Sequence, residues 1–487
     1  MSQILIILSI LLPLAGGALF LWMPVTAELY ERAWCECVTI LTSLCVWMAI
    51  LGGRADSFTI YSFTNGFAIN FHMDGLSMLF AGMISVMWPL VTLYAFEYMK
   101  DALHKRSFFA FYVMTYGITL GIAFSGDILT MYVFYEMLTL ITIPLVSHYQ
   151  DHDSMYAGRV YAAYVIGGAA AAFITVVITT LRMGGMFSLA GSSFAGQSVN
   201  LMLAVYVIGF FGFGVKAAVF PLHYWLPTAT AAPTPVTALL HAVAVVNSGV
   251  FAIMRLTYYI YGAGYLRGTW AQHLALGTAA FTLVFAAVCA MRERHLKRRL
   301  AYSTVSNLSY MLFGTLLLTQ AGFTAGMAHM LFHGIIKMSL FLCAGAVIHV
   351  TGKSWIYQLN GLGKKMPWTF AFYTLGALSL TGVPMFAGFV SKWRLLTAAA
   401  AAGTGWSYAG AACLIAGAFF CAMYTLTVSI RAFFPMKGTD LWSDVQVTDP
   451  NWRMLVPIGF FAAANLYFGI WPGQILRFLG TIASGVH

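Results

Sequence analysis

Apolar residues along this chain neither alternate as in strands nor stripe one helical face. They run together in stretches near 20 residues, the length a helix needs to cross a hydrocarbon core of roughly 30 Å. About fourteen such stretches recur from end to end, centred near Leu12, Thr42, Ser85, Ile118, Leu138, Thr175, Phe211, Val245, Phe285, Leu316, Met338, Leu380, Phe419 and Phe460. They predict an all-α membrane protein with one membrane domain and no soluble catalytic domain. The first stretch, Ile4 to Trp22, lacks a basic leader and a small-residue cleavage site, so it is expected to remain as a helix. The longest polar connections, Gly53 to His72, Met183 to Asn200 and Met436 to Asn451, read as loops.

Two segments interrupt the pattern. Lys216 to Pro235 contains P-L-H-Y-W-L-P and A-P-T-P, and Gly376 to Lys392 contains T-G-V-P and A-G-F. Discontinuous helices at membrane depth are tolerated only where they are buried in protein or line a wet cavity. Matching breaks in two halves of a chain fit inverted repeats built around a transport path. Each break carries a lysine, Lys216 or Lys392.

Composition agrees: 61% of the 487 residues are hydrophobic and 8% charged, whereas a soluble domain carries about a quarter charged residues. The net charge of +10 suggests nucleic acid until the basic residues are placed. Lys100, Lys105, Arg106, the run Arg292 to Arg299, Lys353, Lys364, Lys365, Arg431 and Lys437 follow odd-numbered stretches, against Arg54, Arg182 and Arg267 after even ones. By the positive-inside rule the odd connections are cytoplasmic and both termini lie outside. The run Arg292 to Arg299 reads as a solvated connection. Seven cysteines scattered through apolar segments do not describe a disulfide framework, and Cys35 and Cys37 are too closely spaced for a metal or redox pair without partners.

The chemistry lies in ionisable residues inside apolar stretches. Glu136, in V-F-Y-E-M-L-T-L, needs a cationic partner or a proton, because a lone carboxylate at that depth costs several kcal/mol. It reads either as part of a structural ion pair or as a switchable charge. Lys216 is the best partner candidate. At an effective dielectric of about 20, opposite charges 4 Å apart attract by roughly 4 kcal/mol, so a movement that parts such a pair suffices to release a proton. His329, His333 and Lys337, spaced i, i+4, i+8 in A-H-M-L-F-H-G-I-I-K, stand nearly on one helical face over about 12 Å. They read as satisfied core groups or as a proton relay, since imidazole accepts at one nitrogen and donates at the other. His241 and Lys392 extend the series. Asp74, Glu97 and Asp127, at apparent ends of stretches, read as caps or interfacial anchors.

Three rival readings stand beside this one. The histidine pair suggests a metal, but no thiolate or carboxylate accompanies it. A haem would need ligands facing each other across a flat pocket, whereas His329 and His333 share a face. A self-contained solute carrier is the third. Nucleotide loops and iron-sulfur cysteine patterns are not found in the sequence, so no cofactor is expected in this chain.

Several stretches resemble a known family. D-G-L-S-M-L-F from Asp74, F-Y-E from Phe134, K-A-A-V-F-P-L-H-Y-W-L-P-T-A from Lys216, A-P-T-P-V-T-A-L-L-H-A from Ala232, L-K-R-R-L-A-Y-S-T-V-S-N from Leu296 and H-M-L-F-H-G-I-I-K-M-S-L-F-L from His329 are similar to antiporter-like subunits of complex I, Mrp cation/proton antiporters and membrane-bound hydrogenases. The likeness runs over nearly the whole chain. It implies a fourteen-helix fold with two inverted five-helix repeats, broken in helices 7 and 12. On that pattern residues 1–105 hold helices 1–3, 106–260 the first repeat, 270–435 the second and 450–487 the last helix. It also implies roles: Glu136 with Lys216 as an ion pair, His241, His329, His333 and Lys337 as a central relay, and Lys392 as the terminal carrier. Partners would be other membrane subunits of a hetero-oligomer, including further antiporter-like subunits and a peripheral redox arm, in a prokaryotic cytoplasmic membrane. The transported ion would be the proton, with sodium as the alternative. The chain departs from the pattern at Asn247, where many members place a lysine, at His295, where aspartate is common, at Asn307, where glutamine is common, and at Lys392, where one branch has glutamate. It also ends without the long lateral helix of the distal complex I subunit.

Overall fold

A computed structural model describes residues 2–22, 28–53, 55–64, 67–189, 191–192, 196–436, 439, 441–443 and 445–486. Arg54 and Lys437, used above to orient the chain, lie outside the described residues. The helices are α1 (Ser2–Trp22), α2 (Glu28–Leu51), α3 (Gly75–Tyr98), α4 (Lys105–Ala123), α5 (Ile128–Val146), α6 (His152–Met183), α7 (Val199–Gly214), α8 (Trp225–Thr228), α9 (Thr234–Ala242) and α10 (Val245–Met254). A π-helical stretch, Arg255–Tyr261, continues α10. There follow α11 (Ala263–Leu266), α12 (Trp270–Arg292), α13 (Leu296–Leu316), α14 (Gln320–Thr351), α15 (Pro367–Thr381), α16 (Ala387–Ala402), α17 (Gly405–Phe433), α18 (Trp452–Ile470) and α19 (Gly473–Ala483). Among the described residues, ten helices have the length and apolarity to cross a bilayer. The protein is a multi-pass, all-α integral membrane protein.

Every predicted centre falls on one of these helices, Val245 and Leu380 at the ends that border chain breaks and Leu316 at the end of an unbroken helix. Leu316 is the last residue of α13 rather than its middle. The reason is composition: Ser303, Ser306, Asn307 and Ser309 lower the apolarity of α13, and all four are buried with hydrogen bonds inside the protein. The apolar maximum therefore drifts toward the helix end.

The segment Gly53 to His72 is not a loop. It forms an antiparallel hairpin of β1 (Ala55–Thr64) and β2 (Phe67–Met73), as its aromatic and β-branched content favours. The hairpin is pinned to the start of α5, where the Asn70 amide donates to Asp127 at 2.5 Å and the Asn70 N–H to Thr130 Oγ1 at 2.9 Å. The last predicted helix is also two pieces, because Pro472 ends α18's run and α19 begins at Gly473.

Both predicted breaks are present. After α7 the chain leaves regular helix through Lys216 and resumes it at Trp225, and the carbonyl freed at Val215 is satisfied by the Trp225 indole at 2.8 Å. Between α15 and α16, Gly382 turns the chain with φ +99°. A third interruption has no counterpart in the sequence reading: between α9 and α10 the chain kinks at Val243 and Ala244. The Asn247 amide donates to the Ala242 carbonyl there at 2.6 Å. Long α14, buried through almost all its length, is the axis of the second half, packed against α13, α15, α16, α18 and α9.

Candidate functional site

The row on α14 is intact and buried: His329, His333 and Lys337 have almost no exposure. Thr319 caps the helix start by accepting from the Gly322 N–H, and Gly352 closes it in the left-handed region. The three side chains emerge on one face toward α9, α13 and α16, so a single rigid helix sets their spacing.

Lys337 donates its ammonium to the Leu300 carbonyl at 2.9 Å and to Ser303 Oγ, both on α13. The Phe341 ring lies 5.9 Å from that ammonium and 4.7 Å from the His241 ring. His241, on α9, is thus the neighbour of Lys337 across one aromatic ring. Both nitrogens of His241 and both of His333 lack a hydrogen-bond partner among the described residues, unusual for buried polar groups and suited to accepting and passing a proton. The His333 and His329 rings are 6.1 Å apart.

His329 continues the row to α16. Its Nδ1 lies 2.9 Å from Ser391 Oγ and its Nε2 3.3 Å from Asn307 Oδ1. Ser391 is the residue before Lys392. The Lys392 ammonium donates to the Leu380 carbonyl at 2.5 Å and the Thr381 carbonyl at 3.4 Å, the carbonyls left free where α15 ends. A cation at a helix C-terminus also meets the negative end of the helix dipole. Lys392 lines a cavity of about 140 Å³ beside Tyr310 and Trp393.

The first break is arranged differently from expectation. No ion pair joins Glu136 and Lys216. The ammonium of Lys216 donates instead to the Tyr135 carbonyl and sits 3.4 Å from the centre of the Tyr135 ring, a cation–π contact. Glu136 is half-buried on α5, and its Oε1 has no partner among the described residues. Successive residues of a helix leave it about 100° apart, so a lysine that seats on Tyr135 is turned off the direction of Glu136. Gly249 of α10 packs so tightly on this break that a Cβ would come within 2.4 Å of the Ala217 nitrogen.

One reading of charge fails and one is incomplete. The run Arg292 to Arg299 is not wholly solvated: Lys297 is 7% exposed and donates to the Ala232 carbonyl at 2.9 Å. Arg299 is buried as well, donating to the Glu293 and Tyr424 carbonyls. Lys297 and Arg299 leave α13 about 200° apart, and both are covered because α13 is enclosed on nearly all sides. Asp74 does cap α3 through the Ser77 N–H, but it is also half of a bidentate pair with Arg255, a fully buried residue missed in the sequence. The available signal was a lone arginine in the apolar run V-F-A-I-M-R-L-T-Y-Y-I-Y. Asp127 and Glu97 fit the cap and anchor reading, Asp127 capping α5 and Glu97 pairing with Lys100 and Arg453. Among the described residues no three His, Cys, Asp or Glu side chains cluster as metal ligands.

Comparison with known proteins sets this geometry in context. Residues 125–419 match the family model described as "NADH:quinone oxidoreductase/Mrp antiporter, TM". A protein of Rhizobium meliloti (strain 1021), named as a probable subunit of a K(+)/H(+) antiporter, is 31% identical over 432 residues, covering 86% of this chain and 42% of the relative. A Na(+)/H(+) antiporter protein of Alkalihalophilus pseudofirmus is 33% identical over 354 residues, covering 68% and 43%. The chain therefore spans less than half the length of these curated relatives. Among solved structures, one chain of the archaeal membrane-bound sulfane sulfur reductase superposes with a TM-score of 0.87 at 24% identity, covering 99% of this chain and 97% of that one. A chain of the Mrp complex from Dietzia sp. gives 0.85 at 20%, covering 100% and 97%. A chain of respiratory complex I from Thermus thermophilus gives 0.81 at 24%, covering 99% and 98%. These three share its fold.

Proposed function

The chain belongs to the NADH:quinone oxidoreductase/Mrp antiporter transmembrane family, and from that membership we propose that it is a proton-translocating subunit of a larger membrane assembly. One observation carries the reading: Lys337, His333 and His329 form a buried row on α14 that reaches Lys392 through Ser391. Buried lysines and histidines at this depth are costly, and ionisable residues kept inside a membrane mark ion pathways.

In this reading Lys392, at the second break, is the terminal carrier, and Lys216, at the first, is the member that senses Glu136. A conformational or charge change on the exposed side of Glu136 alters the field at Lys216. That lysine then exchanges the Tyr135 carbonyl for another partner, and the proton shift is passed to His241 and the α14 row. The two breaks support inverted repeats over 106–260 and 270–435, between the helices of 1–105 and the segment 450–487. The charge distribution supports cytoplasmic odd connections and termini on the outer face of a prokaryotic cytoplasmic membrane. Electron transfer, where the assembly has it, belongs to partner subunits, and this chain carries no cofactor. The names of the curated relatives favour a second reading in which protons exchange against sodium or potassium.

The test is Lys337→Ala in membrane vesicles holding the assembled complex. Proton transport falls by roughly a hundredfold at an unchanged amount of complex, and wild-type rates in that variant would refute the reading. Repeating the wild-type assay with and without a sodium or potassium gradient separates redox drive from cation exchange.

A further inference from the structure

The row described so far is enclosed, and its source of protons is not among its members. The structure holds a second polar feature that leads to it. Between the start of α6, the α8 segment and the start of α13 lies an open cavity of about 650 Å³, lined in good part by charged and hydroxyl-bearing side chains. It faces the side of the basic connections. Asp151 and Asp153 stand at its rim and are exposed, Thr228 forms one wall, and Lys297 lies at the floor.

The rim is negative. Glu293 accepts from the N–H groups of Arg294 and His295 and has the Arg298 guanidinium 3.7 Å away, so its charge is largely answered locally. Asp151 accepts from the Ser154 N–H at 2.8 Å. Hydrogen bonds from the Ser154 hydroxyl and N–H hold its carboxyl below the usual range, so it stays anionic near neutral pH. Asp153 stands beside the His152 ring, Nδ1 to Oδ1 3.4 Å, which leaves Asp151 as the carboxylate at the mouth without a cationic partner among the described residues; an anion in such a place raises the local concentration of cations.

The floor is connected inward. Lys297 anchors its ammonium on the Ala232 carbonyl, just before α9, the helix that bears His241. Lys337 anchors on the carbonyl of Leu300, one helical turn along α13 from Lys297, a rise of about 4.5 Å. Lys297 is thus the buried cation of the cavity, and it stands on α13 one turn from the carbonyl that seats Lys337.

We infer that this cavity is the uptake mouth of the pathway: Asp151 collects hydrated protons from the side of the basic connections, and Lys297 is the first internal group to carry them. The inference rests on the proposed function and adds its source. In the step, the Lys297 ammonium gives its proton inward to the neutral His241 ring, or to Lys337 once that lysine has passed on its own proton, and the resulting amine takes a replacement from a hydrated proton in the cavity, leaving water. No bond other than N–H and O–H is made or broken.

The experiment places a plug after folding, so that a folding defect cannot be mistaken for a closed mouth. Thr228→Cys is made in a chain whose exposed Cys37 is serine, and vesicles with the basic connections outward are treated with a bulky, membrane-impermeant methanethiosulfonate. Labelling is measured by mass, and proton transport by the assembled complex before and after. The expected result is stoichiometric labelling and a fall in transport of roughly tenfold or more, with no change in the parent that retains Thr228. Lys297→Met is expected to fall by a similar factor at normal assembly. Failure of the reagent to label the site overturns the inference, as does full transport after complete labelling. If labelled protein and Lys297→Met both run at wild-type rates while Lys337→Ala does not, uptake lies elsewhere and the row stands. If Lys337→Ala is also unaffected, the proposed function itself is wrong.

Discussion

Arg255 and Asp74 form a bidentate pair inside the bundle, Nη1 to Oδ2 at 2.5 Å and Nη2 to Oδ1 at 2.8 Å, with a further bond from Nη2 to Ser77 Oγ at 2.8 Å. The guanidinium is packed among the rings of Phe187, Phe251 and Tyr259, 4.3 to 5.0 Å from their centres. Asp74 begins α3 and Arg255 begins the π-helical stretch, so the pair locks the start of α3 to the irregular end of the α9–α10 span. Removing one partner strands the other. Arg255→Leu is expected to cost about 3–5 kcal/mol, read as a large drop in the thermal midpoint of the detergent-purified assembly, and Asp74→Asn in the same chain is expected to restore part of it. An Arg255→Leu protein as stable as the parent would show that the pair is not holding these elements together.

Glu136 offers the opposite case. Because its Oε1 has no partner and Lys216 is seated on Tyr135, Glu136→Gln breaks no ion pair. Stability is expected to stay within about 1 kcal/mol of wild type, where breaking a buried pair costs about 3–5 kcal/mol. Transport is expected to fall roughly tenfold or more, because the field at Lys216 is gone. A loss of several kcal/mol would mean that the two residues are joined directly in the assembled complex.

The second break depends on a glycine. At Gly388, the second residue of α16, a Cβ would stand 1.8 Å from the Ser379 carbonyl oxygen, a backbone atom that cannot step aside alone. Gly388→Ala must push α16 away from α15, and Lys392 loses its seat on the Leu380 and Thr381 carbonyls. The expected outcome is a destabilisation of about 1–3 kcal/mol together with lower transport per assembled complex. Normal transport at normal assembly would mean that the position of Lys392 is not critical.

What could be read beforehand followed from spacing along one element. His329, His333 and Lys337 were legible because helical periodicity alone brings i, i+4 and i+8 together, and the breaks at Lys216 and Lys392 because proline and glycine mark them. Contacts between elements were not legible. The seating of Lys216 on Tyr135 rather than Glu136 is a matter of one residue on α5, below what sequence separation resolves. Lys297 was hidden by its basic neighbours: positions of one charge in a short run look alike until the enclosure of α13 covers some of them. Arg255 carried a signal, a cation in an apolar aromatic run, but its partner lies 181 residues away.

His295 gives a pH dependence whose sign can be worked out. It caps α13, accepting through Nδ1 from the Arg298 N–H at 3.4 Å. Burial, with the charges of Lys297 and Arg298, pushes its pKa down to about 4, against about 6.5 in an unfolded chain. Above pH ~6.5 the ring is neutral in both states, and its contribution to stability is fully present. Between pH ~6.5 and ~4 the unfolded chain takes up the proton and the folded one resists, so stability is lost as pH falls, by on the order of 1–3 kcal/mol in total. Protonation also removes the cap's acceptor. Asparagine keeps an acceptor at this position and does not titrate, so His295→Asn is expected to lose less of its thermal midpoint than wild type between pH 7.5 and 5. Equal losses in the two proteins would show that His295 is already free to protonate in the folded state and that its burial beside Lys297 is not maintained in solution.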